Sequence, residues 1–187
     1  MRCRFAILTA VLLLSAPSYG QESARWSLST NAIDWATLLT TNVSAQYSLS
    51  QHLTLEGQAR WNPWTFNKGG ESQLQTRQRT FSLGARWWPW YTYSGWWVSA
   101  RGQISEYNFG GLRTMETEEG DAAGLVLSAG YSFQLKKWLN IDFGAAFWGG
   151  YKRYVKYACP NCGNRTDQGE KAFVLPDEVL ISAMFIF

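Results

Sequence analysis

The sequence predicts an all-β protein: an eight-stranded antiparallel up-and-down transmembrane barrel of the outer-membrane type. Three observations support this prediction. Apolar and polar residues alternate along about eight segments, as in LTLEGQARW, where Leu55 and Trp61 share one face and Glu56 and Arg60 the other. Short connections alternate with long ones, as periplasmic turns and extracellular loops do. Aromatic residues also concentrate where the predicted strands meet the turns.

The first segment is predicted to be a leader and not part of the fold. Arg2 and Arg4 precede an apolar run over residues 5–14, which is too short to cross a bilayer as a helix. Ser18 and Gly20 are small residues that suit a cleavage site. We therefore expect a secretory signal peptide over residues 1–20, and one barrel domain over residues 21–187 that is exported to a disulfide-permissive compartment.

The alternating segments then follow one another along the chain. The predicted strands are centred on residues 26–32, 43–49, 53–61, 80–87, 96–105, 123–133, 139–148 and 179–187. With the N-terminus in the periplasm, the short turns fall at 50–51, 89–94 and 134–137. The long extracellular links fall at 62–75, 107–122 and 150–177.

The direction in which the apolar face points decides the class of protein. If that face meets lipid, the interior receives a polar network of Glu56, Arg60, Arg86, Arg101 and Asp142. An eight-stranded barrel is narrow and filled by side chains, so these mixed charges must pair with one another, which argues against an open pore. The alternative is a soluble lipocalin- or streptavidin-like barrel, in which the apolar face is the core and the same charges reach water.

The aromatic residues favour the lipid-facing interpretation. The chain has 11 Trp, 9 Tyr and 10 Phe, and its last segment alternates up to the terminal Phe187. Trp and Tyr prefer the headgroup level of a membrane because one end of the ring is apolar and the other forms hydrogen bonds. The predicted membrane-interface residues are Trp61, Trp64, Trp87, Trp88, Trp96 and Trp138.

Four features of the sequence go beyond alternation: Thr30-Asn31, the NPWTF of residues 62–66, the RYVKYACPNCG of residues 153–163, and the terminal Phe187. Together they resemble a family of outer-membrane barrels of Bacteroidota that is classed as a domain of unknown function. The resemblance implies an eight-stranded barrel in the outer membrane. It also implies a role in surface structures, because genes of that family often lie near fimbrial or adhesin genes. It supplies no catalytic residues.

The CPNCG segment offers three kinds of chemistry. Cys159 and Cys162 can form a structural disulfide, a redox pair or part of a zinc site. No helical pattern follows the pair to lower a thiol pKa, and the mature chain adds only one histidine as a further zinc ligand. We therefore expect a structural disulfide that shapes the longest outer loop.

Three further candidates remain open on the sequence. His52 is the one histidine available to a lipid-modifying enzyme, although its place at a tight turn favours a plain turn residue. The acidic TEEGD of residues 117–121 is either a calcium site or a solvated loop tip. Arg77 and Arg79 either meet lipopolysaccharide phosphates or are ordinary loop cations.

These observations predict a binding protein and not an enzyme. A net charge of +3 does not indicate nucleic acid, and we expect no catalytic residue, cofactor or metal. The expected partners are outer-membrane lipid and lipopolysaccharide, together with fimbrial, adhesin or other envelope proteins that the extracellular loops bind. The alternative function is a lipid A- or phospholipid-modifying enzyme of the bacterial outer membrane.

Overall fold

A computed structural model describes residues 24–37, 39–67, 73–111, 116–159 and 163–187. The predicted leader, residues 1–20, lies outside these ranges. The elements, in chain order, are β1 (Trp26–Asn31), α1 (Ala32–Ala36), β2 (Thr41–Ser50), β3 (Leu53–Asn62), β4 (Thr65–Phe66), β5 (Leu74–Trp87), β6 (Gly95–Gly110), β7 (Thr117–Lys136), β8 (Leu139–Tyr157) and β9 (Arg165–Ile186).

The eight long strands form one antiparallel sheet that closes into a ring. Each long strand pairs with the next along the chain, and β1 pairs with β9 to close the ring, while β4 adds two residues beside β5. The pairing is staggered. Leu28 on β1 lies opposite Phe185 on β9, where the ring closes. Going the other way round the ring from Leu28, from each residue to its partner on the next strand, one reaches β9 at Val174 instead. This stagger tilts the strands, and a tilt of about 35–45° is typical of closed sheets. The all-β antiparallel prediction is confirmed.

The two faces of the sheet differ in chemistry. On β3 the polar Thr54, Glu56, Gln58 and Arg60 are buried inside the ring, whereas Leu55 and Trp61 are 43% and 54% exposed on the outside. Other strands repeat this pattern with outward side chains such as Phe81, Leu83, Ile104, Leu125, Leu127, Phe143, Phe147 and Val179. Polar atoms are therefore concentrated in the interior of the ring, and the exposed surface has a broad apolar zone.

Two of the predicted long links are largely strand, which corrects the sequence interpretation. β6 continues to Gly110, and β7 begins at Thr117. The pairing of β8 with β9 extends from Tyr157 and Arg165 to Leu139 and Phe185. TEEGD therefore forms the first five residues of β7 and is not a loop tip. Alternation did not reveal these segments because polar residues occupy both faces, whereas backbone pairing needs no apolar face.

The connection between β1 and β2 contains a short helix that the alternation did not predict. The side chain of Asn31 accepts a hydrogen bond from the backbone N–H of Ile33 and caps α1. Asn31 also bonds the backbone of β9, because its Nδ2 donates to Val179 O and its Oδ1 accepts from Ile181 N. Asn31 therefore fixes where β1 ends and α1 begins. The helical residues in the described ranges include no segment with the length and apolarity needed to cross a membrane.

An apolar cluster fills the interior of the ring at the end that holds both termini of the sheet. Trp88, Tyr93, Trp97, Leu180, Met184 and Ile186 are buried together there. The turn after β5 places Tyr93 inside, where its hydroxyl donates to Arg25 O and its carbonyl accepts from Asn140 Nδ2. The interior thus changes from an apolar cluster at this end to a charged network further along.

Candidate functional site

We call the end of the ring that holds the apolar cluster the lower end. The lower part of the interior network is built around Arg86. Its Nε and Nη2 donate to the carboxylate of Glu56 at 3.1 and 2.7 Å, and its Nη1 donates to Asp142 at 2.8 Å. The guanidinium also lies 3.8 Å from the ring centroid of Trp97. Three strands, β3, β5 and β8, supply the charges. A bidentate pair stacked on an indole uses both the donor fork and the flat face of the arginine.

The upper part of the network contains two more arginines. Arg101 donates to Glu178 and to Gln58, both at 2.7 Å, and Gln58 in turn donates to Glu178 at 3.0 Å. Arg60 donates to both carboxylate oxygens of Asp177 at 2.8 and 2.9 Å. Arg101 also lies 3.6 Å from Glu56, which links the upper and lower parts into one network.

Asp177 and Glu178 were missed as interior residues, and a bulge in β9 explains why. The pairing of β8 with β9 shifts between Ala146 and Phe147, so Asp177 is an extra residue in the ladder. Two consecutive carboxylates therefore point inward, which regular alternation forbids. Glu178 shares its parity with the buried Ser182, so extending the alternation from the last strand would have found it. Asp177 gives no comparable local signal.

The structure places all five predicted interior residues inside the ring and joins each of them to an opposite charge. Three guanidiniums meet four carboxylates there, and the side chains of all seven groups are at most 7% exposed. Buried charges are tolerated when they are paired and hydrogen-bonded in this way. Each of the four carboxylates lies within ion-pair distance of a guanidinium, so these groups fill the interior as bound ion pairs and are not free acids and bases.

Asp34 of α1 approaches this network from the connection between β1 and β2. Its carboxyl is partly buried, and its Oδ2 has no hydrogen-bond partner among the described residues. Burial raises the pKa of Asp34 to about 6, against the attraction of Arg60, and the nearby Glu178 and Asp177 raise it further. Asp34 is therefore the described carboxyl outside the strands that is poised to titrate near neutral pH.

Five of the six predicted interface aromatics lie on the outer surface. Trp61, Trp64, Trp87, Trp96 and Trp138 are 45–59% exposed. Trp88 contradicts the prediction, because it is fully buried and its Nε1 donates to Thr54 Oγ1 at 3.2 Å. The alternation that puts Arg86 inside puts Trp88 on the same side. Grouping the tryptophans by their proximity to the turn overlooked this parity.

A second polar cluster lies on the inner face of the extended parts of β6 to β9. Glu118 accepts hydrogen bonds from Tyr107 and Lys152, and the ammonium groups of Lys152, Lys156 and Lys171 lie 5.1–5.7 Å from the Tyr154 ring centroid. Burial opposes ionisation of Glu118, but the hydrogen bonds from Lys152 and Tyr107 outweigh it and hold the pKa of this carboxyl below its usual range. The cluster ties four strands together beyond the apolar zone.

The remaining candidate residues do not assemble into a catalytic or metal centre within the described ranges. His52 is exposed in the turn after β2, with its Nδ1 3.1 Å from Trp88 O. No group of three or more His, Cys, Asp or Glu side chains converges there as metal ligands would. The backbone of Ala158 bonds Asn164 O and closes the loop that carries Cys159. Cys162 lies outside the described residues, so the disulfide stays a prediction.

One of two comparisons with known proteins relates the chain to a family. Residues 6–187 match the protein-family model described as "Protein of unknown function (DUF3575)". A search of curated proteins finds no match. The matched range includes every strand described above and both polar clusters.

Proposed function

We propose that this chain, which belongs to the DUF3575 family, is an eight-stranded outer-membrane barrel that anchors or assembles surface structures by binding them outside the cell. Its N-terminus lies in the periplasm. The partners are fimbrial, adhesin or other envelope proteins, and the surrounding lipid includes lipopolysaccharide. The single observation that carries the proposal is the inverted distribution of polarity, with paired charges inside and apolar side chains outside.

That inversion argues for hydrocarbon around the ring. A water-soluble closed sheet places its apolar face inside, whereas here Leu83, Ile104 and Phe147 are 58–63% exposed and Glu56 and Arg101 are buried. A contiguous exposed apolar surface of this extent marks an interaction with lipid or protein. The exposed tryptophans at both borders of that surface fit the aromatic belts of a membrane-spanning sheet.

The extended parts of β6 to β9 support binding as the mode of action. Beyond the apolar zone these strands carry Arg153, Glu170 and Lys171 in exposed positions, and Arg153 pairs with Glu170 at 2.8 Å. A paired sheet presents its side chains in a fixed geometry, which a partner can recognise at a small cost in ordering. The resemblance to barrels encoded near fimbrial genes makes components of surface structures the proposed partners.

The lipid-modifying alternative has no comparable support. His52 contacts a backbone carbonyl at a turn, and the described residues place no serine hydroxyl or carboxylate within hydrogen-bond distance of its ring. The interior carboxylates are held by arginines, which leaves them unsuited to general-base work.

Fluorescence quenching by brominated lipids tests the membrane orientation. The protein is folded into vesicles of phosphatidylcholine whose acyl chains carry bromine at one depth. Trp96→Phe is expected to lower the amount of fluorescence that the bromine quenches, whereas Trp88→Phe, its buried control, is expected to leave that amount unchanged. A protein that stays in the aqueous fraction, or equal effects of the two substitutions, would contradict the proposal.

Deletions that preserve the strand register test the binding role. Residues 108–119 are replaced by a two-residue turn between the paired Tyr107 and Gly120, and residues 154–169 between the paired Arg153 and Glu170. We expect the shortened barrels to fold and to lose capture of fimbrial subunits from the producing cell. Retention of all partners by a barrel that lacks both extensions would contradict the proposed role.

A further inference from the structure

Arg79 occupies the upper border of the outward apolar face of β5. Phe81 and Leu83 follow it toward the membrane centre and are 57% and 63% exposed, while Arg77 precedes it on the same face. Both arginines are exposed. Within the described part of the chain, neither has a carboxylate within ion-pair distance, whereas the outward Arg153 has Glu170. Arg77 and Arg79 are therefore outward guanidiniums without a protein counter-ion among those residues.

Three cavities on the outer surface meet at Arg79. The first, of about 470 Å³, runs below it between β2 and β5 and is lined by Val43, Ala59, Trp61 and Phe81. The second, of about 640 Å³, lies on the other side of Phe81 and is lined by Ile104, Ala123 and Tyr151, with charged residues above them. Phe81 separates two grooves whose floors are apolar.

The third cavity lies above the grooves and is polar. It has a volume of about 560 Å³, and its outward lining includes Arg77, Arg79 and Asn108 together with the carboxylates of Glu106, Glu119 and Asp121. Two guanidiniums and the amide of Asn108 thus stand directly over two apolar grooves. This order of chemistry along the outer wall matches an amphiphile with an anionic, hydroxyl-rich head and more than one hydrocarbon chain.

The distribution of charge places the anion on the β3 side of Arg79. In the strand register, Arg79 lies opposite Trp61 on β3 and opposite Glu106 on β6. Glu106 in turn lies opposite Asp121 on β7. The two carboxylates repel an anion from the β6 and β7 side. Trp61 is neutral, so the space beside Trp61, Arg77 and Arg79 is the part of this surface that favours a phosphate.

We infer that this surface binds a phosphorylated glycolipid of the outer leaflet, with a phosphate on Arg79 and Arg77 and acyl chains in the grooves on either side of Phe81. The inference rests on the proposed membrane location and deepens it, because it names the lipid class and the residues that select it. Guanidinium recognises phosphate through paired hydrogen bonds, and the apolar floors accept the chains without specificity. Phosphate therefore supplies the selectivity.

Native mass spectrometry of the barrel in detergent micelles tests the inference with defined lipids. The probes are diphosphorylated lipid A, the same lipid A after enzymatic dephosphorylation, and phosphatidylglycerol. We expect the barrel to retain the diphosphorylated lipid about tenfold more strongly than the dephosphorylated one, since hydrogen bonds to charged groups are the stronger class. Arg79→Gln is expected to remove this preference.

Two further variants separate charge from shape. Lys136→Gln removes an exposed cation at the opposite end of the strands and is expected to leave the preference intact. Ala59→Trp fills one groove without changing charge, and is expected to weaken retention of both forms of lipid A several-fold. Equal retention of the two forms by the unsubstituted protein, an unchanged preference in Arg79→Gln, or equally strong retention of phosphatidylglycerol would each overturn the inference.

The quenching experiment with brominated lipids distinguishes this failure from failure of the proposed location. A barrel that inserts and shows quenched Trp96 but does not discriminate between the lipids refutes the phosphate site alone. A protein that does not insert refutes the membrane location, and with it the reason for a lipid on this surface.

Discussion

Arg86 and Glu56 form a bidentate pair in the interior of the ring, with Nε–Oε2 and Nη2–Oε1 distances of 3.1 and 2.7 Å. The third donor of the guanidinium reaches Asp142 at 2.8 Å, and its face lies against Trp97. One arginine thereby pairs with two carboxylates from different strands. Arg101, 3.6 Å from Glu56, adds a second cation to this part of the interior.

Arg86→Met is expected to destabilise the folded protein by about 3–5 kcal/mol, because it leaves Asp142 buried without a counter-charge and Glu56 with Arg101 alone, 3.6 Å away. Urea titrations in lipid vesicles, followed by tryptophan fluorescence, measure the change. The matched control is Arg153→Met, which removes a pair whose side chains are 75% and 64% exposed and is expected to cost less than about 1 kcal/mol. Similar losses in the two variants would contradict the assignment of the interior network.

Gly130→Val is expected to destabilise the protein by about 1–3 kcal/mol through overpacking. A Cβ at Gly130 would lie 2.5 Å from Cζ2 of Trp97 and would also meet the backbone of β8, so the indole must leave its place against Arg86. Near-ultraviolet circular dichroism reports the movement of the indole, and urea titration reports the stability.

Gly102→Val is the control for Gly130→Val. Gly102 faces outward on β6, and the nearest atom to an added Cβ is Leu83 O at 3.9 Å. A β-branched side chain there is expected to be neutral or slightly stabilising. If both substitutions prove harmless, the space that Gly130 leaves for Trp97 is not required for packing.

Asp34→Asn is expected to stabilise the protein at pH 8 by on the order of 1 kcal/mol and to have no effect near pH 4. The folded pKa of Asp34 is about 6, above its ordinary value of 3.8, so the folded state binds the proton more tightly than the unfolded state does. The stability of the unsubstituted protein therefore falls as the pH rises from about 4 to about 6. Urea midpoints of both proteins at pH 4, 6 and 8 provide the measurement, and a difference independent of pH would rule out this explanation.

Hydrogen exchange is expected to show that residues 117–121 and 151–157 exchange more slowly than a loop but faster than the lower parts of the same strands. Their backbone groups pair across β6 to β9, yet they lie beyond the apolar zone that membrane lipid covers in the proposed orientation. Mass spectrometry of peptides from the vesicle-bound protein measures the rates. Exchange within the first seconds, as in an unpaired loop, would contradict strand pairing there.

Much of the fold was predictable because strand alternation is local. The parity of Glu56, Arg60, Arg86, Arg101 and Asp142 could be read from their immediate neighbours, and the structure buries all of them. The same local rule, applied consistently, would have placed Trp88 inside. The upper strands were not predictable in this way, since residues 151–157, apart from Val155, are polar or aromatic on both faces and give no periodic contrast.

The sequence by itself determined which side chains share a face, because a two-residue period is a property of each strand alone. Its short turns also predicted antiparallel neighbours, since parallel strands need long crossover connections. Only the tertiary structure decided which charges meet. The stagger of the closed ring brings Arg101 to Glu178, 77 residues away, and the bulge at Asp177 turns a second carboxylate toward Arg60. These contacts depend on register between distant strands, which no local pattern specifies.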